Sequence, residues 1–324
     1  MAKRTSRRVC AFRSARRLAL SLALVFGPAL LVAWRPDWFS WWLMPLLWAA
    51  QILGISGISS AAHEAVHNHL FYDARLERLF GRITHGLMLL NHDVHRRYHL
   101  VHHANTGTDE DSEGVFDFNE LDSVRAYVRY LIRWAVPPSP LHVLNWRAGV
   151  AVISKRPTAL DPIGRRQASA GFVVPALMVA MLVTWLVADP VAALMASLLP
   201  LCCLAPVFGY LTAVPEHFGL AGHDVGDRTR NIRTWRPVQY LVWNFNVHAA
   251  HHRQPHLHFS LLSGAAARSS APSADGYRRF HTDLLRNVVR AQRGLPPAVV
   301  LPEHLGIRPR DSGAARGTEE GTVA

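Results

Sequence analysis

Four long apolar runs decide the kind of fold this 324-residue chain can adopt, because each is long enough to cross a membrane as a helix. A hydrocarbon core of about 30 Å is crossed by roughly 17 to 25 helical residues. The linkers within each pair of runs are too short for anything but a tight turn. The sequence therefore predicts two transmembrane hairpins, with the runs at residues 18–34, 41–60, 172–188 and 191–214.

The positive charges predict which side of the membrane each part occupies. Seven Lys or Arg residues and no acid fall within 1–17, which indicates a cytoplasmic N-terminus. No small-residue cleavage site follows the first run, so we expect a retained anchor rather than a signal peptide. The predicted units are a basic cytosolic segment 1–17, a membrane domain 18–262 and a polar cytosolic tail 263–324 with a disordered end. A cell inner membrane is the expected location.

This pattern predicts an all-α integral membrane protein with four transmembrane helices in two hairpins. The formal net charge of +12 would suit nucleic acid, but no nucleic-acid-binding motif accompanies it, and anionic lipid headgroups fit the apolar runs better. We expect no nucleic-acid partner. No two of the three cysteines form a CxxC pair, which argues against a zinc ribbon or a disulfide framework. We therefore expect a protein that faces a reducing compartment.

Histidines are concentrated in three clusters. Residues 91–103 hold five of the chain's 19 histidines, and several of them recur at helical spacing, which places them on one face of a helix. Histidine clusters also occur as solvated loops, satisfied core residues or adventitious metal tracts. Three clusters with similar helical spacing instead indicate a set of ligands: His63 and His67; His95, His99, His102 and His103; and His248, His251 and His252.

The number of these histidines favours a pair of metal ions. Imidazole binds iron, zinc, copper and nickel. The clusters together with His217 provide ten imidazoles, whereas a zinc ion is saturated by three or four ligands. The surplus therefore favours a dinuclear redox site.

The clusters read HEAVH, HLVHH preceded by His95, and HAAHH, and they resemble the three histidine boxes of the membrane fatty acid desaturase and hydroxylase superfamily. The resemblance covers about residues 40–262. It implies a four-helix membrane anchor under a cytosolic cap, and a non-haem di-iron centre that uses O₂ and external electrons to attack unactivated C–H bonds. No His-Pro-Gly-Gly signature of cytochrome b5 is present, so a separate ferredoxin or cytochrome is the expected electron donor.

The resemblance also implies residue roles. The ligands of two iron ions would be His63, His67, His99, His102, His103, His217, His248, His251 and His252. Neighbouring polar residues could orient a ligand or a metal-bound water, although an aspartate in a loop can equally be a solvated carboxylate. These candidates are His95, Asn244, Asn246, Asp93, Asp109 and Asp111.

We therefore expect a desaturase of a fatty acyl chain or a similar lipid-like substrate. Hydroxylation of the same substrate class is the alternative, because both reactions begin with hydrogen abstraction. The chain departs from the commonest pattern at Glu64 in the first box and at residues 253–258 after the third. Both departures concern the substrate more than the metal.

Two other classes use the same histidines. HEAVH matches HExxH, in which two histidines hold zinc and the glutamate is the general base of a metalloprotease, but a protease would leave the other clusters unexplained. A metal carrier would normally leave polar residues inside the membrane, whereas these apolar runs carry almost no charge.

Metal analysis of the purified protein separates these classes. We expect about two iron ions per chain for a dinuclear oxygenase, against about one zinc ion for a protease. Weak, exchangeable binding would instead identify a carrier. Inductively coupled plasma mass spectrometry before and after dialysis measures all three outcomes.

Overall fold

A computed structural model describes residues 6–113, 121–156, 163–220 and 228–296; the disorder predicted at the end of the chain lies outside these ranges. The α-helices and strands are α1 (Arg7–Trp34), α2 (Met44–Val66), α3 (Ala74–Leu87), α4 (His92–Asn105), α5 (Val124–Ala135), α6 (Pro140–Ile153), α7 (Arg165–Gly171), α8 (Val173–Ala188), α9 (Pro190–Ala193), α10 (Ala205–His217), β1 (Asn231–Ile232), α11 (Arg236–Leu241), α12 (His248–Arg253), α13 (Phe259–Ala266), β2 (Ser273–Ala274) and α14 (Tyr277–Gln292). A 3₁₀ turn (Trp41–Leu43) precedes α2, and two π-helical segments (Leu194–Leu198 and Pro200–Leu204) connect α9 to α10.

Four helical segments are long and apolar enough to cross a membrane: Arg7–Trp34, Trp41–Val66, Arg165–Ala188 and Pro190–His217. The prediction of an all-α fold with four such helices is confirmed. Within the described residues the exception is a parallel pairing of the two-residue strands β1 and β2. Each segment extends beyond its apolar run. In particular, most of the basic segment assigned to a separate N-terminus forms the first turns of α1.

The turns of the two hairpins lie at the same end of the bundle. Arg35 follows the last turn of α1, and Asp189 caps the start of α9. The Arg35 guanidinium forms an ion pair with the Asp189 carboxylate. Four tryptophans at or near the first turn are exposed, as expected at a membrane interface: Trp34, Trp38, Trp41 and Trp42.

Helices α1 and α2 approach each other closely at a glycine. A Cβ atom built on Gly54 would lie 2.8 Å from the backbone oxygen of Ser21 and 2.8 Å from Cγ2 of Val25. Small residues permit such approach of helices in a membrane, where the hydrophobic effect does not drive them together. This contact sets the position of α2, whose far end carries the first histidine cluster.

The C-terminal helix α14 belongs to the folded core, although the sequence assigned it to a separate tail. Phe280, Leu284 and Val288 of α14 are buried in one apolar cluster with Trp134 of α5 and Tyr210 of α10. These three side chains recur at i, i+4 and i+8, so one face of α14 packs against the end of the fourth membrane segment.

The substitution Gly54→Ala tests the close approach of α1 and α2. The added methyl group would meet the backbone oxygen of Ser21, which cannot rotate away, together with side-chain atoms of Val25 and Leu24, so the bundle should lose about 1–3 kcal/mol. Gly27→Ala is the matched control, because its Cβ would meet no atom within 4 Å and alanine favours a helix. Unfolding in mixed detergent micelles measures both variants, and equal stability would contradict the packing described above.

Candidate metal centre

The first pair of histidines lies at the end of α2 opposite to the hairpin turn. His63 is in the last turn of the helix and His67 directly follows it. Their i, i+4 spacing puts both rings on one side of the helix, with centroids 4.8 Å apart. Both imidazoles face the ends of α4 and α12.

Helix α4 carries the central histidines, and its start is set by Asn91. The Asn91 side chain accepts a hydrogen bond from the backbone N–H of Val94 and donates one to the backbone oxygen of Ala168. This cap fixes the register of α4, so that Nε2 of His99 lies 2.9 Å from Nε2 of His63 and 3.1 Å from Nε2 of His103.

The remaining ligand candidates come from α10 and α12. His217 ends α10, and its Nε2 lies 3.0 Å from Nε2 of His248. On α12, Nε2 of His252 lies 3.1 Å from Nε2 of His248, and Nε2 of His251 lies 3.0 Å from Nε2 of His103. Residues far apart in the chain thus meet at one end of the bundle.

The structure brings all nine predicted ligands into two adjoining groups. The stacked rings of His103 and His252, with centroids 4.3 Å apart, join the groups. The five-histidine group contains His63, His67, His99, His103 and His251. The four-histidine group contains His102, His217, His248 and His252.

Acidic residues after α4 hold the outer nitrogens of two rings. Nδ1 of His99 donates to Oε1 of Glu113 over 2.9 Å, and Nδ1 of His102 donates to Oδ1 of Asp111 over 2.8 Å. A proton held on Nδ1 leaves the lone pair of Nε2 directed into the group, which is the arrangement metal-binding histidines adopt. Asp111 was among the residues predicted from the sequence, whereas Glu113, which ends the same acidic run, was not.

Burial keeps most of the ring nitrogens neutral. It lowers the pKa of His99 and His251 well below the usual value, and neighbouring histidines add to the effect. At His102 burial acts in the same direction, but the carboxylates of Glu113 and Asp111 outweigh it and raise the pKa. Neutral imidazole is the form that binds metal, so the burial of His99 and His251 favours their ligation.

The other polar candidates contact groups outside the two histidine groups. Asp93 accepts hydrogen bonds from Arg82 and Gln167, each over 2.8 Å, and Asp109 is exposed in the turn after α4. Asn244 donates to the backbone oxygen of Phe259. Asn246 donates to the backbone oxygen of Ile232.

His95 extends the histidine array towards His85 and His92, which were not predicted from the sequence as site residues. Its ring stacks on His99 with centroids 5.6 Å apart, and its Nδ1 lies 2.7 Å from the Tyr98 hydroxyl. On its other side the ring of His85 lies 4.7 Å away. Nδ1 of His85 is in turn 3.1 Å from Nδ1 of His92. The i, i+7 spacing of His85 and His92, across a change of helix, carried no recognisable signal.

The donor set fits two metal ions bound by imidazole. Ligand nitrogens held at about 2.1 Å from one ion, at right angles, would lie about 3 Å apart, and five pairs of Nε2 atoms in the structure lie 2.9–3.1 Å apart. Nε2 of His67 is buried and, among the described residues, has no hydrogen-bond partner. Buried polar atoms rarely lack a partner, and a metal ion would provide one.

A sequence model of the fatty acid desaturase family matches residues 36–283. This match covers most of the chain and includes all nine histidines. The chain belongs to the fatty acid desaturase family.

Individual desaturases show more local similarity. An omega-3 fatty acid desaturase, chloroplastic, from Sesamum indicum is 26% identical over 143 residues, which is 43% of this chain and 31% of that protein. An sn-2 acyl-lipid omega-3 desaturase (ferredoxin), chloroplastic, from Helianthus annuus is 26% identical over 143 residues, 43% of this chain and 32% of that protein. A Delta(12)-fatty-acid desaturase from Arabidopsis thaliana is 35% identical over 97 residues, 30% of this chain and 25% of that protein. The chain thus spans about a third or less of the length of these curated relatives.

The contact made by Glu64 differs from the one that a metalloprotease requires. Its Oε2 accepts a hydrogen bond from the backbone N–H of Phe259, at the start of α13, over 3.2 Å. A general base must instead lie within reach of the reacting water at the metal. In this member of the desaturase family, Glu64 therefore connects the first histidine box to the segment after the third.

A matched pair of substitutions tests the role of the acidic run. Asp111→Ala removes the acceptor of the His102 proton and should weaken metal binding about 10- to 100-fold. Asp109→Ala, two residues away and exposed, should leave it unchanged. Iron titration of the chelator-treated protein measures both; equal affinities would show that the carboxylate of Asp111 has no part in ligation.

Proposed function

We propose that this chain is a membrane-bound, O₂-dependent desaturase of a fatty acyl chain or a similar lipid-like substrate, with two iron ions held by the five- and four-histidine groups. The observation that carries the proposal is the meeting of nine histidine nitrogens, in two adjoining groups, at one end of four apolar helices. Zinc chemistry needs fewer ligands. Membership of the desaturase family supports the same reaction class.

When bound, a pair of iron ions would supply the O₂-activating chemistry that removes hydrogen from an unactivated C–H bond. The protein's own contribution is orientation and insulation. Asp111 and Glu113 fix the tautomers of His102 and His99, and burial of the rings excludes bulk water. Exclusion of water prevents competing reactions of an oxidised centre.

The membrane position supports an acyl substrate. The two groups form where α2 and α10 end, so an acyl chain lying in the bilayer could reach them without leaving an apolar environment. The relatives' printed names concern acyl chains of lipids, including an sn-2 acyl-lipid substrate.

We propose that this end of the bundle faces the cytoplasm of a cell whose inner membrane holds the protein, and that both termini lie on that side. The basic first turns of α1 pack beside the third box: Arg13 donates to the Ser260 hydroxyl over 3.0 Å, and Arg17 donates to the backbone oxygen of Tyr240 over 2.9 Å. Positive residues therefore share the histidine end, and such residues favour the cytoplasmic side. A soluble ferredoxin or a cytochrome could deliver electrons there, and one relative's name includes ferredoxin.

Lipid profiling tests the reaction. Cells that express the chain should accumulate an acyl product two mass units lighter than its precursor, because desaturation removes two hydrogens. His99→Ala should reduce this product by at least about 100-fold, since removing one of several residues that act together at a catalytic centre abolishes most of the enzyme's activity. His256→Ala is the control, because His256 is exposed near the third box.

A product sixteen mass units heavier would identify the hydroxylase alternative. Unchanged product in His99→Ala cells, with equal amounts of protein in the membrane, would refute a role for the histidine groups. Gas chromatography with mass spectrometry distinguishes these outcomes.

A further inference from the structure

The four-histidine group is assembled from separate parts of the chain, and a short segment connects two of them. His217 ends α10, whereas His248 and His252 lie on α12. Between these helices, residues 230–232 lead into and form β1. This segment forms hydrogen bonds with residues at the end of α10 and with residues in and just before α12.

Arg230 holds the end of α10. Its side chain is buried, with 5% of the residue exposed. Nη1 donates to the backbone oxygen of Pro215 over 2.7 Å, and Nη2 donates to that of Phe218 over 2.8 Å. These carbonyls flank His217. The last carbonyls of a helix have no partner within the helix, and a cation there complements the negative end of its dipole.

The next two residues hold α12 and the residues before it. Oδ1 of Asn231 accepts from the backbone N–H of Ala250, which lies between the histidines of the third box, over 3.1 Å. Ile232 and Asn246 form a reciprocal pair: the Ile232 N–H donates to the Asn246 backbone oxygen, and the Asn246 side chain donates to the Ile232 oxygen, each over 2.7 Å. One continuous segment thus sets the distance between α10 and α12.

We propose that Arg230 is a positioning residue of the four-histidine group: its two-pronged guanidinium holds the end of α10 so that His217 faces His248. This inference rests on the proposed function, in which the group binds iron. Arg230 acts through the backbone of α10, so its effect should be confined to the iron ion that His217 helps to bind. The five-histidine group takes His63 and His67 from the end of α2, His99 and His103 from α4 and His251 from α12, and none of its members lies on α10.

Iron(II) titration of the chelator-treated full chain in nanodiscs tests this. Arg230→Met retains the length and burial of the side chain but removes both donors, so the affinity for one ion should fall about 10- to 100-fold, while the other ion binds as in the unsubstituted chain. Arg230→Lys provides one ammonium group in place of the planar guanidinium and should give an intermediate loss of iron affinity. The matched control is Arg233→Met, three residues away, where the side chain is 77% exposed and pairs with Asp275.

His217→Ala calibrates the experiment, because it should weaken the same ion, and combining it with Arg230→Met should add little further loss. Unchanged affinity in Arg230→Met, or an equal loss of both ions, would overturn the inference. If Arg230→Met does not fold, Arg230→Lys decides by the same criterion. An unsubstituted chain that binds no iron refutes the proposed function itself; normal binding, weakened by His217→Ala but not by the Arg230 variants, refutes this inference alone.

Discussion

The packing of nine largely buried imidazoles at the end of a membrane helix bundle is the interaction on which the structure depends. Nitrogen atoms of nine histidines lie close together away from water, which would cost free energy unless each atom found a partner. Carboxylates satisfy the outer nitrogens of His99 and His102. The inner nitrogens of seven of the nine rings lie 2.9–3.1 Å from a neighbouring ring nitrogen, a spacing that suits ligands of a shared cation. Folding and metal binding are therefore expected to be linked.

The packing of the membrane helices positions the ligands that lie at the opposite end of the bundle from the two hairpin turns. The ion pair between Arg35 and Asp189 joins the turns of the two hairpins. The close approach at Gly54 sets α2 against α1. As a result, the opposite ends of α2 and α10 present His63 and His217 towards α4 and α12. Apolar helices thus do more than anchor the protein, because their packing determines where two segments of the metal centre begin.

Elements outside the histidine boxes complete the site. Helix α14 buries Phe280 beneath the guanidinium of Arg230, whose central carbon lies 5.0 Å from the ring centroid. Tyr277 of the same helix donates to Glu216, the neighbour of His217, over 2.8 Å. The family match extends to residue 283, past the third box and into α14. A helix that by composition resembles a polar tail is thus part of the support of the centre.

The sequence alone was sufficient for the four membrane helices, because the length of an apolar run is a local signal. The i, i+3, i+4 spacing likewise indicated three histidine clusters, whose rings the structure brings together, whereas His217 lies outside those clusters and was assigned as a ligand through the family resemblance. The sequence could not divide the nine histidines into groups of five and four, since adjacent residues such as His102 and His103 enter different groups. It assigned no role to Glu113 or Arg230, and it selected Asp93, which pairs with Arg82 and Gln167. These assignments depend on which segments meet after folding, and a carboxylate or guanidinium has the same local sequence signal whether it supports a ligand or faces solvent. Only the tertiary structure decides between those cases, because it determines the burial and the partner of each group.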